Sequence, residues 1–451
     1  MSNIFRKPVV SEEKKNKYER LGFKHNPFPV DPAVKPYSKD ERENGSIYMT
    51  DLREEEIQQF NDIVINSESK INLLMDYAAY RGRGIGKTAF LNYLRKEINK
   101  DLGDSFTKGQ QVLYAIYVNP GGEKKERKFS HLSRIIYESI MNDELLLITF
   151  CRLRAGSGLI SNDLLNSVTY NNLSSTLGND NWLTENKIDL QQVDYQVEKK
   201  LVENGVTFFK GTELSLFDRS FINFKKIFSV ENTELYWKNY GVDFVFSELV
   251  KLFKAADFSN IILLFDEAEK IIISQNFGER REFCDNLRYY FIDGSNENAI
   301  NCFYKLLMTI HPNSQELLLT HWNAAGLDRF SVLGGEGANA NTIFFRPLKD
   351  KKLAVLLAKE YLTRSRIETV DLNDELLPFE EEALEKAIEI CDGIPGKFLK
   401  LLYNAIEQSL SEGWDKITSL RIDNIWRKII EIDSKPTIAN SEMLQTKTNL
   451  K

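Results

Sequence analysis

The sequence is short of the residues that staple small or secreted proteins together. Its four cysteines, Cys151, Cys284, Cys302 and Cys391, stand far apart with no Cys-x-x-Cys pair, which excludes a disulfide framework or zinc ribbon and points to reduced thiols in a cytoplasm. Its four histidines, His25, His131, His311 and His321, are too dispersed to nominate a metal cluster. No apolar run approaches the roughly 20 residues that cross a bilayer. The polar start Met1-Ser2-Asn3-Ile4-Phe5-Arg6-Lys7 lacks the apolar stretch of a signal peptide, so no membrane partner is expected. A large surplus of one charge is missing too. A formal net charge of −7 argues against coating nucleic acid with the whole surface, and leaves room for a local basic groove. No repeat of fixed period appears. What remains is a soluble globular composition, 42% hydrophobic and 11% aromatic, in a chain long enough for one large core or two to three domains.

The most informative segment is Tyr80-Arg81-Gly82-Arg83-Gly84-Ile85-Gly86-Lys87-Thr88. It follows an apolar run, 71–78, that reads as a buried strand, and precedes Ala89-Phe90-Leu91-Asn92-Tyr93-Leu94, whose apolar spacing is helical. Strand, glycine turn, Gly-Lys-Thr and helix in that order predict a phosphate-binding loop. Backbone N–H groups of the turn and of the helix start would face an anion, and the helix dipole favours its charge. Gly82, Gly84, Ile85, Gly86 and Ala89 would cradle the phosphates, Lys87 would reach the outer ones, and the Thr88 hydroxyl would ligate Mg²⁺. The first glycine of the pattern G-x-x-x-x-G-K-[ST] falls on Arg81, with Gly82 one place late. The alternative is a glycine turn beside an incidental Lys-Thr.

A second segment, Ile261-Ile262-Leu263-Leu264-Phe265-Asp266-Glu267, is a short apolar run ending in two carboxylates. Such a run suits a strand covered on both faces of a parallel sheet. Acids at its carboxyl end fall where doubly wound sheets bind ligands. Asp266 would then hold Mg²⁺, and Glu267 would polarise a water as general base. The alternative is an acidic helix start.

Around these motifs the chain divides as follows. Residues 1–60 form a polar arm carrying Gly22-Phe23-Lys24-His25-Asn26-Pro27-Phe28-Pro29, either laid over a nucleotide base or packed as a strap. Residues 61–345 form the core, with further strands expected at 111–120, 303–311 and 342–345. Residues from about 153 to 238 lose periodicity and read as an insertion or small subdomain. The turn Gly121-Gly122-Glu123-Lys124-Lys125-Glu126-Arg127-Lys128 is a solvated loop or a local contact for DNA. Thr309, His311 and Asn313, at the end of the 303–311 strand, are candidates to contact the γ-phosphate or the attacking water, or else bond to backbone. Residues 346–433 are helical, at 349–364, 379–391, 396–411 and 421–432, and 434–451 form a polar tail expected to be disordered.

The order of these features resembles the AAA+ and related P-loop ATPases, in particular the clade of origin-recognition initiators and bacterial transposition ATPases. Asn26-Pro27-Phe28 and Arg53-Glu54-Glu55-Glu56 are similar to the N-terminal boxes of that group, and Pro347-Leu348 with Gly393-Ile394-Pro395-Gly396-Lys397 resembles its lid. The run Phe265-Asp266-Glu267-Ala268-Glu269-Lys270, Asn286-Leu287-Arg288 and Ala325…Asp328-Arg329-Phe330 also look like ATP-binding proteins of bacterial phage-defence islands, such as the BREX type. The resemblance covers about 20–120 and 245–410. It implies ATP with Mg²⁺ bound between core and lid, self-association into a ring or filament, and protein partners in a larger complex. It makes Arg329 a candidate finger for a neighbour's γ-phosphate, or a structural partner of Asp328. Lys397 stands where the family usually has a sensing arginine, and the two are not equivalent towards phosphate.

The expectation is therefore an α/β protein: a P-loop NTPase core with a parallel sheet and flanking helices, an inserted subdomain and a C-terminal helical lid. Its expected activity is ATP hydrolysis that switches assembly or conformation in a DNA-linked or anti-phage complex. A nucleotide-binding scaffold that does not hydrolyse ATP is the rival. A small-molecule kinase is a third reading, which the helical lid and the residues around Arg329 oppose.

Overall fold

Among the described residues, short apolar runs become five parallel strands: β1 Ile71–Asp76, β2 Val112–Val118, β3 Phe258–Phe265, β4 Tyr304–Ile310 and β5 Thr342–Phe345. They pair in the order β2-β3-β4-β1-β5, every neighbour parallel. The computed structural model describes residues 16–434 except 37, 77–83, 101, 103–105, 107–110, 122–126, 210–219, 295–302, 334–340, 349 and 368–373. Arg81, Gly82, Lys124, Lys125, Cys302 and the tail from 435 therefore lie outside the described residues.

The chain separates into two units: 54–81 with 90–345, and 1–53 with 82–89 and 346–451. The longer helices of the first are α1 Glu54–Phe60, α2 Lys87–Lys100 (from Phe90 on), α3 Phe129–Asn142, α4 Leu145–Ala155, α5 Leu190–Glu203, α6 Val230–Tyr240, α7 Leu249–Ala255, α8 Phe277–Arg288 and α9 Pro312–Ala324. Those of the second are α10 Lys351–Ser365, α11 Glu381–Ile390, α12 Pro395–Glu412 and α13 Ser419–Ser434. No helix among the described residues is long and apolar enough to cross a membrane.

In the sheet unit every residue of β1 and β4 is buried, which is why these strands read as continuous apolar runs without alternation. Leu73, Met75, Ile116, Leu263 and Met308 share one cluster with α3, α4 and α7. On α2, Phe90 meets Phe345 edge-on at 5.1 Å and Phe60 of α1 at 6.4 Å. Asn99 of α2 acts as a backbone mimic: its amide donates to the Ala115 carbonyl at 2.9 Å and its oxygen accepts the Ala115 N–H at 2.8 Å.

The described residues of 153–238 are mostly short helices and turns, and Leu173, Leu183, Val197, Phe208, Phe224 and Tyr236 join the same apolar cluster as the strands. Their Ser, Asn and Asp content is explained by caps. Ser161, Asn179, Asp189, Ser220 and Ser229 each accept a backbone N–H at a helix start. Several of these helices have only four to six residues, too few to express a 3.6-residue period.

A buried lysine closes one helix end. α1 runs on into a π turn, Asn61–Ile65, and Lys305 of β4 donates to the carbonyls of Val64 (2.7 Å), Ser67 (2.9 Å) and Ile65 (3.3 Å). Lys305→Met strips three terminal carbonyls of their donor, and is expected to lower unfolding free energy by about 1–3 kcal/mol in urea titrations.

In the helical unit the N-terminal arm is part of the core. Phe23 and Phe28 are fully buried, with Phe28 at 5.9 Å from Tyr361 and 6.0 Å from Phe379. Glu407 of α12 anchors the arm, accepting from Tyr18 (2.6 Å), Lys17 (2.6 Å) and Asn26 (3.0 Å). Burial works against its charge, but the hydrogen bonds from Lys17, Tyr18 and Asn26 outweigh it and hold Glu407 below its ordinary value. A carboxylate depressed in the folded state stabilises above its unfolded value near 4.5 and loses that contribution as pH falls through the folded one. Glu407→Gln is therefore expected to flatten the acid side of a stability-versus-pH curve, as read by urea midpoints.

Candidate functional site

Parallel register aligns the carboxyl ends of the strands. Phe265 pairs with Val118 and Met308, Thr309 with Leu74, and Ile310 with Met75. The residues just beyond are Asn119, Asp266 and Glu267, His311 and, closing β1, Asp76. β1 feeds a crossover towards β2 on one side, whereas β4 feeds one towards β5 on the other. Neighbouring strands whose connections leave in opposite directions open a crevice at their carboxyl ends, the usual ligand position in such sheets.

Asp266, 2% exposed, lies just beyond β3, the strand next to that β4–β1 crevice. Its Oδ1 accepts the Thr309 hydroxyl (3.0 Å) and the Glu267 N–H (3.0 Å), and its Oδ2 accepts the Tyr117 hydroxyl (2.9 Å). Burial first, and the Asp266 charge second, push the Tyr117 phenol far above its ordinary value, so Tyr117 stays protonated and donates. Three donors fix the direction of this buried carboxylate.

The chain turns sharply after it. Glu267 has φ +53°, a left-handed conformation for a side-chain-bearing residue, and its N–H also reaches the Thr309 hydroxyl at 2.8 Å. Such a conformation costs of order 1–2 kcal/mol and persists where neighbours impose it. The Glu267 carboxylate accepts from Asn119 (3.2 Å) and pairs with Lys270 (2.5 Å), and Lys270 also reaches the Asn119 oxygen (3.2 Å).

The glycine turn belongs with the helical unit. Gly84 has φ +97° and Gly86 φ +104°, conformations open to glycine at little cost. A Cβ on Gly86 would meet nothing within 4 Å, so its backbone angle, not space, requires glycine there. The Gly84 carbonyl accepts the Gly396 N–H at 2.8 Å, and the Ile85 carbonyl accepts Arg53 at 2.9 Å. Lys87 opens α2, with Thr88 and Ala89 in its first turn, all three half-buried.

The other expected residues fall as follows. The His311 Nδ1 accepts the Asn313 N–H (3.3 Å), so this face of the ring caps α9. Arg329 is exposed in a single turn, Leu327–Arg329, and makes no ion pair with Asp328 or another acid among the described residues. Lys397 is exposed in the first turn of α12. Gly82 lies outside the described residues. Among the described residues no group of three or more His, Cys, Asp or Glu is placed to hold a metal ion.

Four residues of these networks had no assigned role in the sequence: Tyr117, Asn119, Lys270 and Arg53. Tyr117 and Asn119, two apart at the end of a strand, share a face. Lys270 is three residues from Glu267 on a helix start, a spacing that brings side chains together. The signal was present for those three. Arg53 stood out only as part of the run Arg53-Glu54-Glu55-Glu56, with no local sign of its contacts, because its partners are 32 and 293 residues away.

No protein-family model matches this chain, and no curated protein matches it.

Proposed function

We propose that the chain binds ATP with Mg²⁺ and hydrolyses it, as an AAA+-like P-loop ATPase that works as an oligomeric switch or loader in a DNA-linked or anti-phage complex. The observation that carries the reading is the Asp266–Glu267 corner: a buried, triply bonded carboxylate at the carboxyl edge of a parallel sheet, followed by a half-exposed carboxylate in a left-handed turn. The turn–helix segment supports it independently, since Gly84 and Gly86 adopt positive φ immediately before a helix that begins at Lys87. The pairing of the two segments on one nucleotide rests on their order in the chain.

These residues fit a nucleotide and a hard cation. Magnesium keeps several waters and takes one or two protein oxygens plus phosphates, so it needs no dedicated acidic cluster. When bound it draws off charge developing on the phosphates. Lys87 would hold the outer phosphate oxygens, and the Thr88 hydroxyl and Asp266 would ligate the ion. Glu267 would orient a water and accept its proton. Arg329, exposed and without an acidic partner among the described residues, would reach the phosphate of a neighbouring copy.

Hydrolysis of ATP by purified protein, with and without double- and single-stranded DNA and with mass followed by light scattering, tests the reading. Nucleotide-dependent assembly with turnover supports it. Absence of nucleotide binding under every condition overturns it. The non-hydrolysing scaffold is favoured by one observation, the Lys270 ion pair on Glu267. Under that reading Lys270→Ala leaves turnover at zero. Under the ATPase reading it alters a measurable rate by several-fold, because the base loses its competing cation.

A further inference from the structure

Arg53 is the last residue before the sheet unit begins, and it is 6% exposed. One terminal nitrogen donates to the Ile85 carbonyl at 2.9 Å and the other to the Arg346 carbonyl at 2.8 Å. Arg346 directly follows β5, so one side chain joins three separate segments of the helical unit, 1–53, 82–89 and 346 onward. In a trans peptide the C=O of one residue and the N–H of the next point in opposite directions. Holding the Ile85 carbonyl therefore aims the Gly86 N–H the other way. The Gly396 N–H, bonded to the Gly84 carbonyl at 2.8 Å, does the same for the Ile85 N–H. Two consecutive peptide planes are thus pinned by their carbonyls. Consecutive N–H groups in a turn of this kind form an anion-binding concavity.

We propose that Arg53 is a positioning residue for this turn: by fixing the Ile85 carbonyl it presents the turn's amides to phosphate oxygens. The inference rests on the nucleotide reading above and assigns Arg53 no contact with the ligand. A glycine turn left to itself samples many conformations, and an external anchor removes that cost before the ligand arrives. Only arginine suits the position. Its planar fork spans two carbonyls at once, which the single ammonium of lysine cannot reproduce.

The test compares the parent chain with Arg53→Lys and Arg53→Met. Amide hydrogen exchange is followed peptide by peptide without ligand, and ADP affinity is measured by calorimetry. The expected result is faster exchange confined to the peptides spanning 84–90 in both variants, with ADP binding weakened about tenfold, or about 1.4 kcal/mol. A merely structural arginine would speed exchange across the whole helical unit, and that pattern overturns the proposal. So does unchanged exchange at 84–90, or faster exchange there with ADP affinity equal to that of the parent. If the parent binds no ADP, the nucleotide reading fails and the hold of Arg53 on the turn is judged by exchange alone.

Discussion

Replacement of Glu267 by glutamine is expected to lower ATP turnover by at least about 100-fold while nucleotide binding is kept, the range for losing a general base. Glutamine preserves size and still accepts from the Asn119 amide, so the packing around φ +53° at this position is unchanged. It cannot take a proton from water, and it loses the charge that pairs with Lys270. A companion change, Asp266→Asn, separates the two acids. It removes negative charge where Thr309 and Tyr117 donate, and is expected to abolish Mg²⁺-dependent binding as well as turnover. Steady-state phosphate release together with equilibrium nucleotide binding distinguishes them. Persistent turnover in Glu267→Gln would place water activation on another group and remove the role assigned to this corner.

Gly396→Ala is expected to weaken nucleotide binding roughly ten- to hundredfold, equivalent to about 1.4–2.8 kcal/mol. An added Cβ would stand 2.9 Å from the Gly84 Cα and 3.0 Å from its carbonyl oxygen, both backbone atoms that no rotamer change can move aside. Separation of the two segments breaks the Gly396 to Gly84 hydrogen bond, worth about 1 kcal/mol. It also frees the peptide plane that directs the Ile85 N–H. Helicity of α12 does not depend on glycine at its second residue, so far-UV circular dichroism should hold. Lys397→Ala, one residue on and exposed, is the control expected to change binding less than this backbone displacement. Equal ADP affinity in Gly396→Ala and the parent would show that the contact between turn and helix has no part in binding.

Both effects depend on residues whose importance is only half visible in the linear chain. The strand runs were legible because burial on both faces forces unbroken apolar stretches, and the expected strands at 111–120, 303–311 and 342–345 appear at Val112–Val118, Tyr304–Ile310 and Thr342–Phe345. The helical spacing that runs from Ser130 to Ile148 belongs to two helices, α3 and α4, parted at Asp143, which is the C-cap of α3 and accepts the Leu145 N–H. The region 153–238 gave no period because its short helices are set by caps, and its aromatics found their partners in the core of the sheet unit. For the candidate His311, the sequence left open a ligand role or a bond to backbone. Its Nδ1 makes the backbone bond, a choice fixed by the Pro312–Asn313 helix start.

By itself the sequence determined the apolar strands, the acid pair closing one of them and the glycines that permit a turn, because each is a local demand of burial or backbone angle. Tertiary structure alone decided the strand order, which sets Asp266 beside Thr309 and Tyr117. It alone decided the burial of Phe23 and Phe28 among the C-terminal helices, and the grip of Arg53 and Gly396 on the glycine turn. The physical reason is range. Periodicity and turn chemistry act over a few residues, whereas a donor and its carbonyl acceptor hundreds of positions apart meet only after the core has closed.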